Sequence, residues 1–349
     1  MRELTPHPDP PPQGGTEITS EAWREKYQGK RVLITGGLGF IGSNLARRLV
    51  DYGAQVTLVD SLIPEYGGNL FNIDGLQDRV TVNIADVRDQ YSMNYLVKNR
   101  DLMFNLAGTL SHVDSMRDPY TDLEVNCKSQ LSILESCRHH NREIKIVFAG
   151  TRGQYGRAQY LPVDEKHPMQ PTDVNGINNI AGEGYHLLYN QVYRIRATSL
   201  RLTNTYGPRH QMHHARQGIV NWFVRQAIEG KEITIYGDGT QVRDTNYIDD
   251  VVNAFLIAGA SEDADGEVFN IGGEAANLLQ LVQLITKLAG GTRYRCIPYP
   301  EDAKVIEIGD YIADWSKAKR VLEWEPKVSL AEGMEKTIAF YRKNQPHYW

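Results

Sequence analysis

The 349-residue chain has no apolar run approaching the roughly 20 residues that a membrane-spanning helix needs. An excess of basic charge is also missing: 38 Lys and Arg stand against 43 Asp and Glu, for a formal net charge of −5. That balance leaves no broad basic face, so neither nucleic acid nor a membrane surface is an expected partner. Cysteine is scarce. Cys127, Cys137 and Cys296 are odd in number and lack the paired spacing of a metal site. They read as buried thiols in a reducing compartment, and no metal is expected. No basic and apolar signal sequence opens the chain, so a cytoplasmic location is expected. Pro-Pro-Pro and Gly-Gly near the start read instead as a flexible extension over 1–28, disordered to about residue 20. What the chain does have is 41% hydrophobic residues, enough for one large core or two unequal ones.

From Arg31 onward, short apolar runs alternate with helix-length segments. Strands are expected at 32–35, 56–60, 80–84, 102–106 and 144–149, and a sixth at 197–202. Helices are expected at 41–52, 90–98, 120–139 and 176–192. The fold class is therefore α/β: a Rossmann, doubly wound parallel sheet with helices on both faces. Beyond Tyr206 the alternation loosens, and Gly207-Pro208, Gly237-Asp-Gly239 and Gly272-Gly273 punctuate shorter elements. Residues 29–205 are assigned mainly to the Rossmann domain. Residues 206–349 are assigned mainly to a smaller substrate-binding region, with some segments returning to the first domain.

Gly36-x-x-Gly39-x-x-Gly42 follows the first strand and opens a helix with Phe40 and Ile41. The first glycine permits a tight turn, the second lets backbone approach a pyrophosphate, and the third allows close helix–strand packing. Asp60 ends the next strand, 18 residues after Gly42. It is suited to accept hydrogen bonds from an adenosine ribose and to repel a 2′-phosphate, which favours NAD over NADP; simple capping of the next element is the alternative. Asp86-Val87 and Leu106-Ala107-Gly108 follow two further strands on the same edge.

With these residues the chain resembles the extended short-chain dehydrogenase/reductase family, in particular its nucleotide-sugar epimerases and dehydratases. The resemblance covers about residues 30–345. Its motifs are Thr35-Gly-Gly-Leu-Gly-Phe-Ile-Gly42, Asn204-Thr-Tyr-Gly-Pro208, Ile235-Tyr-Gly-Asp-Gly239, Arg243-Asp244 with Tyr247-Ile-Asp-Asp-Val251, Phe269-Asn-Ile-Gly-Gly273 and Trp324-Glu-Pro326. It implies a nucleoside-diphosphate sugar as substrate. It also implies a homodimer paired through helices near 120–139 and 176–192. By family position Asn204 contacts the diphosphate region, Arg243 pairs with phosphate, and Tyr236 lies near the base. Arg209 is a second cationic candidate, because guanidinium forks suit phosphate oxygens.

The departure lies in the catalytic pair. The family oxidises a sugar carbinol with a tyrosine as proton acceptor, a lysine four residues on, and a serine or threonine sharing the hydrogen bond. Thr151 fits the last role. Asn175 and Asn179 occupy the tyrosine and lysine positions. Asparagine does not ionise, so Asn175 cannot be a general base. His112, in a loop expected to face the sugar, is the leading replacement, with a plain polar loop residue as the alternative. Asp114 and Arg152 are further loop candidates. His210, His213 and His214 read as a solvated loop, and Glu183 as structural. Arg152-Gly153 stands where the family's 4,6-dehydratases carry an Asp-Glu pair, which argues against that dehydration. An NAD-dependent nucleotide-sugar epimerase is the first reading. A catalytically silent NAD and nucleotide-sugar binder and a uronic acid decarboxylase are the alternatives.

Overall fold

Near-continuous apolar runs such as Val32-Leu-Ile can be buried on both faces only inside a sheet covered by helices on each side. The computed structural model, which describes residues 20–349, has that arrangement. In chain order its elements are α1 (Ser20–Tyr27), β1 (Arg31–Thr35), α2 (Phe40–Asp51), β2 (Gln55–Asp60), β3 (Val80–Ile84), α3 (Gln90–Leu96), β4 (Leu102–Asn105), α4 (His112–Arg117), α5 (Pro119–Leu123), α6 (Ser129–His140), β5 (Lys145–Thr151) and α7 (Val174–Tyr193). There follow β6 (Ala197–Leu202), β7 (Asn204–Tyr206), α8 (Ile219–Ile228), β8 (Ile233–Tyr236), β9 (Val242–Tyr247), α9 (Ile248–Ala260), β10 (Val268–Ile271), β11 (Glu274–Asn277), α10 (Leu278–Ala289), β12 (Tyr294–Ile297), α11 (Glu301–Ile306), α12 (Ser316–Leu322) and α13 (Leu330–Asn344).

The main sheet has seven parallel strands in the order β10-β6-β5-β4-β1-β2-β3. Alternate residues of one strand serve opposite layers. Val32 and Ile34 pack with the core that contains Leu45, Leu49, Val251 and Phe255 from α2 and α9. Leu33 packs with Met93, Ile133 and Leu134 from α3 and α6. Two smaller sheets, β11-β9-β7 and β12-β8, carry the second region. Strand β10 and helix α9, both from beyond residue 206, belong to the main sheet and its cover.

Two local expectations are corrected. Residues 20–27, expected to be flexible, form α1; Trp23 and Tyr27 are buried against the first core, and the Tyr27 hydroxyl donates to Leu256 O at 2.5 Å. The rest of the expected extension lies outside the described residues. The single helix expected over 120–139 is instead α5 and α6 separated by a π turn at Glu124–Lys128. That turn buries Asn126, whose amide holds Thr109 by its backbone N–H, its carbonyl and its hydroxyl.

Helix α7 is anchored on β5 through His186, whose ring stacks on Phe148 with centroids 4.5 Å apart. Its Nδ1 lies 2.8 Å from Gly182 O, and its Nε2 lies 3.3 Å from the Asn105 amide. Burial lowers the imidazole from its ordinary 6.5 to about 4, against the opposing effects of the Gly182 carbonyl and Glu183. The unfolded chain therefore binds this proton more tightly than the native chain. The resulting stability is complete above about pH 6.5 and is lost as the pH falls toward 4. Asp250, whose carboxyl burial lifts to about 6, acts in the opposite sense. A comparison of variants isolates the imidazole. Urea unfolding at pH 7 and pH 5 should show the parent losing about 2 kcal/mol more than His186→Gln over that interval. Equal losses would contradict the assignment.

Candidate functional site

The parallel strands all end at one edge, where the backbone leaves the sheet and side chains can converge. After β1, Gly36 turns at φ +66, and a Cβ there would meet Leu106 O at 3.0 Å. A Cβ on Gly42 would lie 2.3 Å from Gly36 O, so only glycine lets α2 start this close to the strand. Helix α2 has no side-chain cap and no acidic residue in its first turn. Its leading amides and positive dipole end are thus available to a pyrophosphate. At the end of β2, Asp60 accepts from Leu38 N at 3.0 Å and Leu62 N at 2.9 Å, which fixes its carboxylate beside the turn. Burial raises its pKa, with the two amides pulling against that rise. Thr35 Oγ1 accepts from Leu106 N and Ala107 N and holds the next strand end in place.

These residues share one cavity. Gly36, Gly39, Phe40, Ile41, Gly42, Asp60, Asp86, Val87, Leu106, Ala107 and Gly108 line one part of it. His112, Thr151, Arg152, Asn175, Asn179, Asn204 and His210 line it too. The glycine cradle, uncapped helix end and strand-end carboxylate fit a dinucleotide.

The asparagine pair is tied down. Asn175 Nδ2 donates to Thr109 O at 2.7 Å and to Asp122 Oδ2 at 2.9 Å. Asp122, buried, also accepts from Asn178 Nδ2 at 2.8 Å and from the Thr109 hydroxyl at 2.8 Å. Asn179 Nδ2 turns back to Asn175 O at 2.9 Å. Both amides thus serve the start of α7.

His112 is not in a loop: it opens α4. Its Nδ1 lies 2.7 Å from Asp173 Oδ2, while Asp173 Oδ1 caps α7 by accepting from Gly176 N at 2.8 Å. Burial would raise the Asp173 carboxyl. The hydrogen bond and charge of His112, helped by the Gly176 amide and Arg152, outweigh burial and hold it below the ordinary range. The ring is part-exposed and close to Thr151. A Cβ on Gly153 would stand 3.0 Å from His112 Cε1 and 3.5 Å from Thr151 Oγ1, so glycine leaves the gap between them open. Thr151 Oγ1 accepts from Gly153 N at 3.1 Å.

Arg152 follows at the same strand end. Its Nη2 donates to Asn204 Oδ1 at 3.2 Å, its guanidinium lies 5.5 Å from the Tyr311 ring centroid, and its Nη1 is enclosed without a partner. Burial, with Arg243 nearby, pushes it down to about 10, against the pull of Tyr311, Glu307 and Asp244.

Of the expected substrate contacts, Arg209, Arg243 and Tyr236 do not line this cavity. Arg209, at φ +74, donates to Asn44 Oδ1 at 2.8 Å and lies over Phe340. Arg243 is held by Glu307 Oε1 at 2.7 Å and Gly309 O at 2.7 Å. Tyr236 stands on β8 beside Tyr299, with ring centroids 5.9 Å apart. Of the loop residues, Asp114 is paired with Arg216 at 3.0 Å. His210 departs from the solvated-loop expectation: it is buried edge-on against Phe40, and burial lowers its pKa to about 4. Glu183 is buried against Arg201 and Ser199. Sequence reasoning missed Asp122 and Asp173. The second had one local signal, an aspartate directly before a helix, where capping is expected.

Fold and edge together define a dinucleotide-binding α/β protein. Residues 32–272 match the model of the NAD dependent epimerase/dehydratase family, and the chain belongs to that family. NAD is the cofactor of this family. A putative UDP-glucose 4-epimerase of Methanocaldococcus jannaschii is 32% identical over 315 residues, covering 90% of this chain and 99% of that one. A UDP-N-acetyl-alpha-D-glucosaminuronate decarboxylase of Bacillus cytotoxicus is 31% identical over 325 residues, covering 90% and 98%. The solved UDP-glucose 4-epimerase of Thermotoga maritima with UDP-glucose superposes with a TM-score of 0.81 at 33% identity, covering 90% and 99%.

Two outcomes are expected. Gly42→Ala should weaken NAD binding roughly tenfold or more in a calorimetric titration, because the turn must open to admit the methyl group; unchanged affinity would contradict the cradle. Asn175→Leu removes a donor from the buried Asp122 carboxylate and should cost about 1–3 kcal/mol in urea unfolding. A cost near zero would show that the clamp contributes nothing to stability.

Proposed function

We propose that this protein is an NAD-dependent nucleoside-diphosphate-sugar epimerase in which His112, oriented by Asp173, takes the proton-transfer role. The observation that carries the reading is the 2.7 Å His112–Asp173 contact beside Thr151 in the cavity. With Nδ1–H donating to Asp173, the neutral ring presents an Nε2 lone pair. That nitrogen accepts the proton of the sugar hydroxyl as the C–H hydride leaves, and the Asp173 carboxylate stabilises the imidazolium. Thr151, whose oxygen already accepts from Gly153 N, uses its own proton to hold the reacting oxygen. NAD, held by the Gly36–Gly42 turn and Asp60, would supply the hydride acceptor and donor. Return to the opposite face of the sugar, with the proton given back by His112, yields the epimer. Asn175 takes no part in proton transfer, since its amide is committed to Asp122 and Thr109.

The reading includes a homodimer through α5–α6 and α7, supported by exposed Tyr120, Leu123, Ile177, Leu188 and Val192 on those helices. A second reading, a catalytically silent binder of NAD and a nucleotide sugar, is favoured by the internal hydrogen bonds that occupy both asparagine amides.

Proton NMR of the protein with NAD and a panel of UDP-, GDP-, CDP-, TDP- and ADP-sugars should reveal new anomeric signals with one of them. His112→Gln should then lower kcat by about 10²–10⁴-fold. Asp173→Asn, which preserves a capping side chain, should lower kcat about tenfold or more in a chain that still folds and binds NAD. Full activity in His112→Gln would overturn the proton-transfer assignment. No turnover across the panel, with NAD bound, would favour the silent binder.

A further inference from the structure

Arg152 and Arg243 are neighbouring guanidinium groups with different surroundings. Arg243 is matched by the Glu307 carboxylate at 2.7 Å and by Gly309 O. Arg152 has no ion-pair partner among the described residues. It donates to a neutral amide, Asn204 Oδ1, and its enclosed Nη1 has no acceptor. Glu307, Asp244 and Asp173 act on it only at longer range, and a buried guanidinium with no carboxylate in hydrogen-bond contact is costly unless a ligand supplies one. The guanidinium is also restrained, by the Tyr311 ring on one side and the Asn204 amide at its edge. Arg152 directly follows Thr151 in the sequence and lines the cavity with it.

We propose that Arg152 binds a carboxylate on the sugar, which makes the substrate a nucleoside-diphosphate uronic acid. The inference rests on reading this part of the cavity as the sugar site. A planar guanidinium fork can meet both carboxylate oxygens with parallel N–H bonds, an interaction that a neutral hydroxymethyl group cannot provide. A small side-chain adjustment at Asn204 frees Nη2 for that contact. A phosphate oxygen of the diphosphate offers the same oxyanion chemistry, and the test separates the two.

The NAD-loaded full chain is titrated calorimetrically with two matched pairs: UDP-glucose with UDP-glucuronate, and GDP-mannose with GDP-mannuronate. In at least one pair the acid should bind at least about tenfold more tightly than the neutral sugar. Arg152→Gln should abolish that preference while leaving the neutral sugar and NAD bound as before. Arg152→Lys, which keeps the charge but loses the fork, should retain part of it. Unchanged NAD affinity in both variants verifies the fold. Equal weakening of acid and neutral ligands by Arg152→Gln would move the anion to the diphosphate and overturn the carboxylate assignment. So would a lack of acid preference in both pairs, or a preference that survives Arg152→Gln. The readout needs no turnover, so full activity in a His112 variant would refute the proposed proton transfer and leave this result standing.

Discussion

A buried carboxylate with neutral partners organises the side of the cavity that Thr109 and Asn175 line. Among the described residues Asp122 is held by the Thr109 hydroxyl and the amides of Asn175 and Asn178. Charged acceptors form the stronger hydrogen bonds, and removing one donor leaves the desolvation cost behind. The clamp joins the segment after β4, the short helix α5 and the first turn of α7. Asn126, from the π turn, closes the same ring through Thr109. Helix α7 therefore begins at a fixed place, and its cap, Asp173, stands opposite the first residue of α4. The His112–Asp173 pair follows from that placement. Asn175 and Asn179 thus have a structural role: their amides are part of the frame.

The other half of the cavity depends on the sheet. Gly36, Asp60, Asp86, Leu106 and Thr151 each follow or end a parallel strand, so one sheet edge gathers residues far apart in sequence. A small set of backbone contacts fixes the edge: Thr35 holds Leu106 and Ala107, and Asp60 holds Leu38 and Leu62. Dinucleotide recognition needs backbone close approach and one carboxylate, both of which short sequence motifs encode. Proton transfer and substrate charge depend on side chains brought together by tertiary packing.

This difference explains what was legible in the sequence. Strand positions, the glycine turn and the acidic strand ends could be read because each follows from a local period or a local steric need. The expected strands at 56–60 and 80–84 match β2 and β3 to within one residue. The π turn could not be read, because the 3.6-residue pattern runs through it. Nor could the fates of the cations: Arg209 is held by Asn44, 165 positions away, and Arg243 by Glu307, 64 positions away. His112 stands out in the sequence by its residue type and its place after β4. Its partner lies 61 positions downstream, beyond any local signal. His210 looked like one of a polar trio, yet it is buried against Phe40.

The proposed proton acceptor is His112 rather than the residue at position 175. A crystal structure of the ternary complex with NAD and the substrate found by NMR tests this most directly. His112 Nε2 should lie about 2.6–3.2 Å from the hydroxyl of the carbon facing the nicotinamide, with Asn175 still bonded to Asp122. A hydroxyl bound to Asn175, with the His112 ring turned away from the sugar, would contradict it.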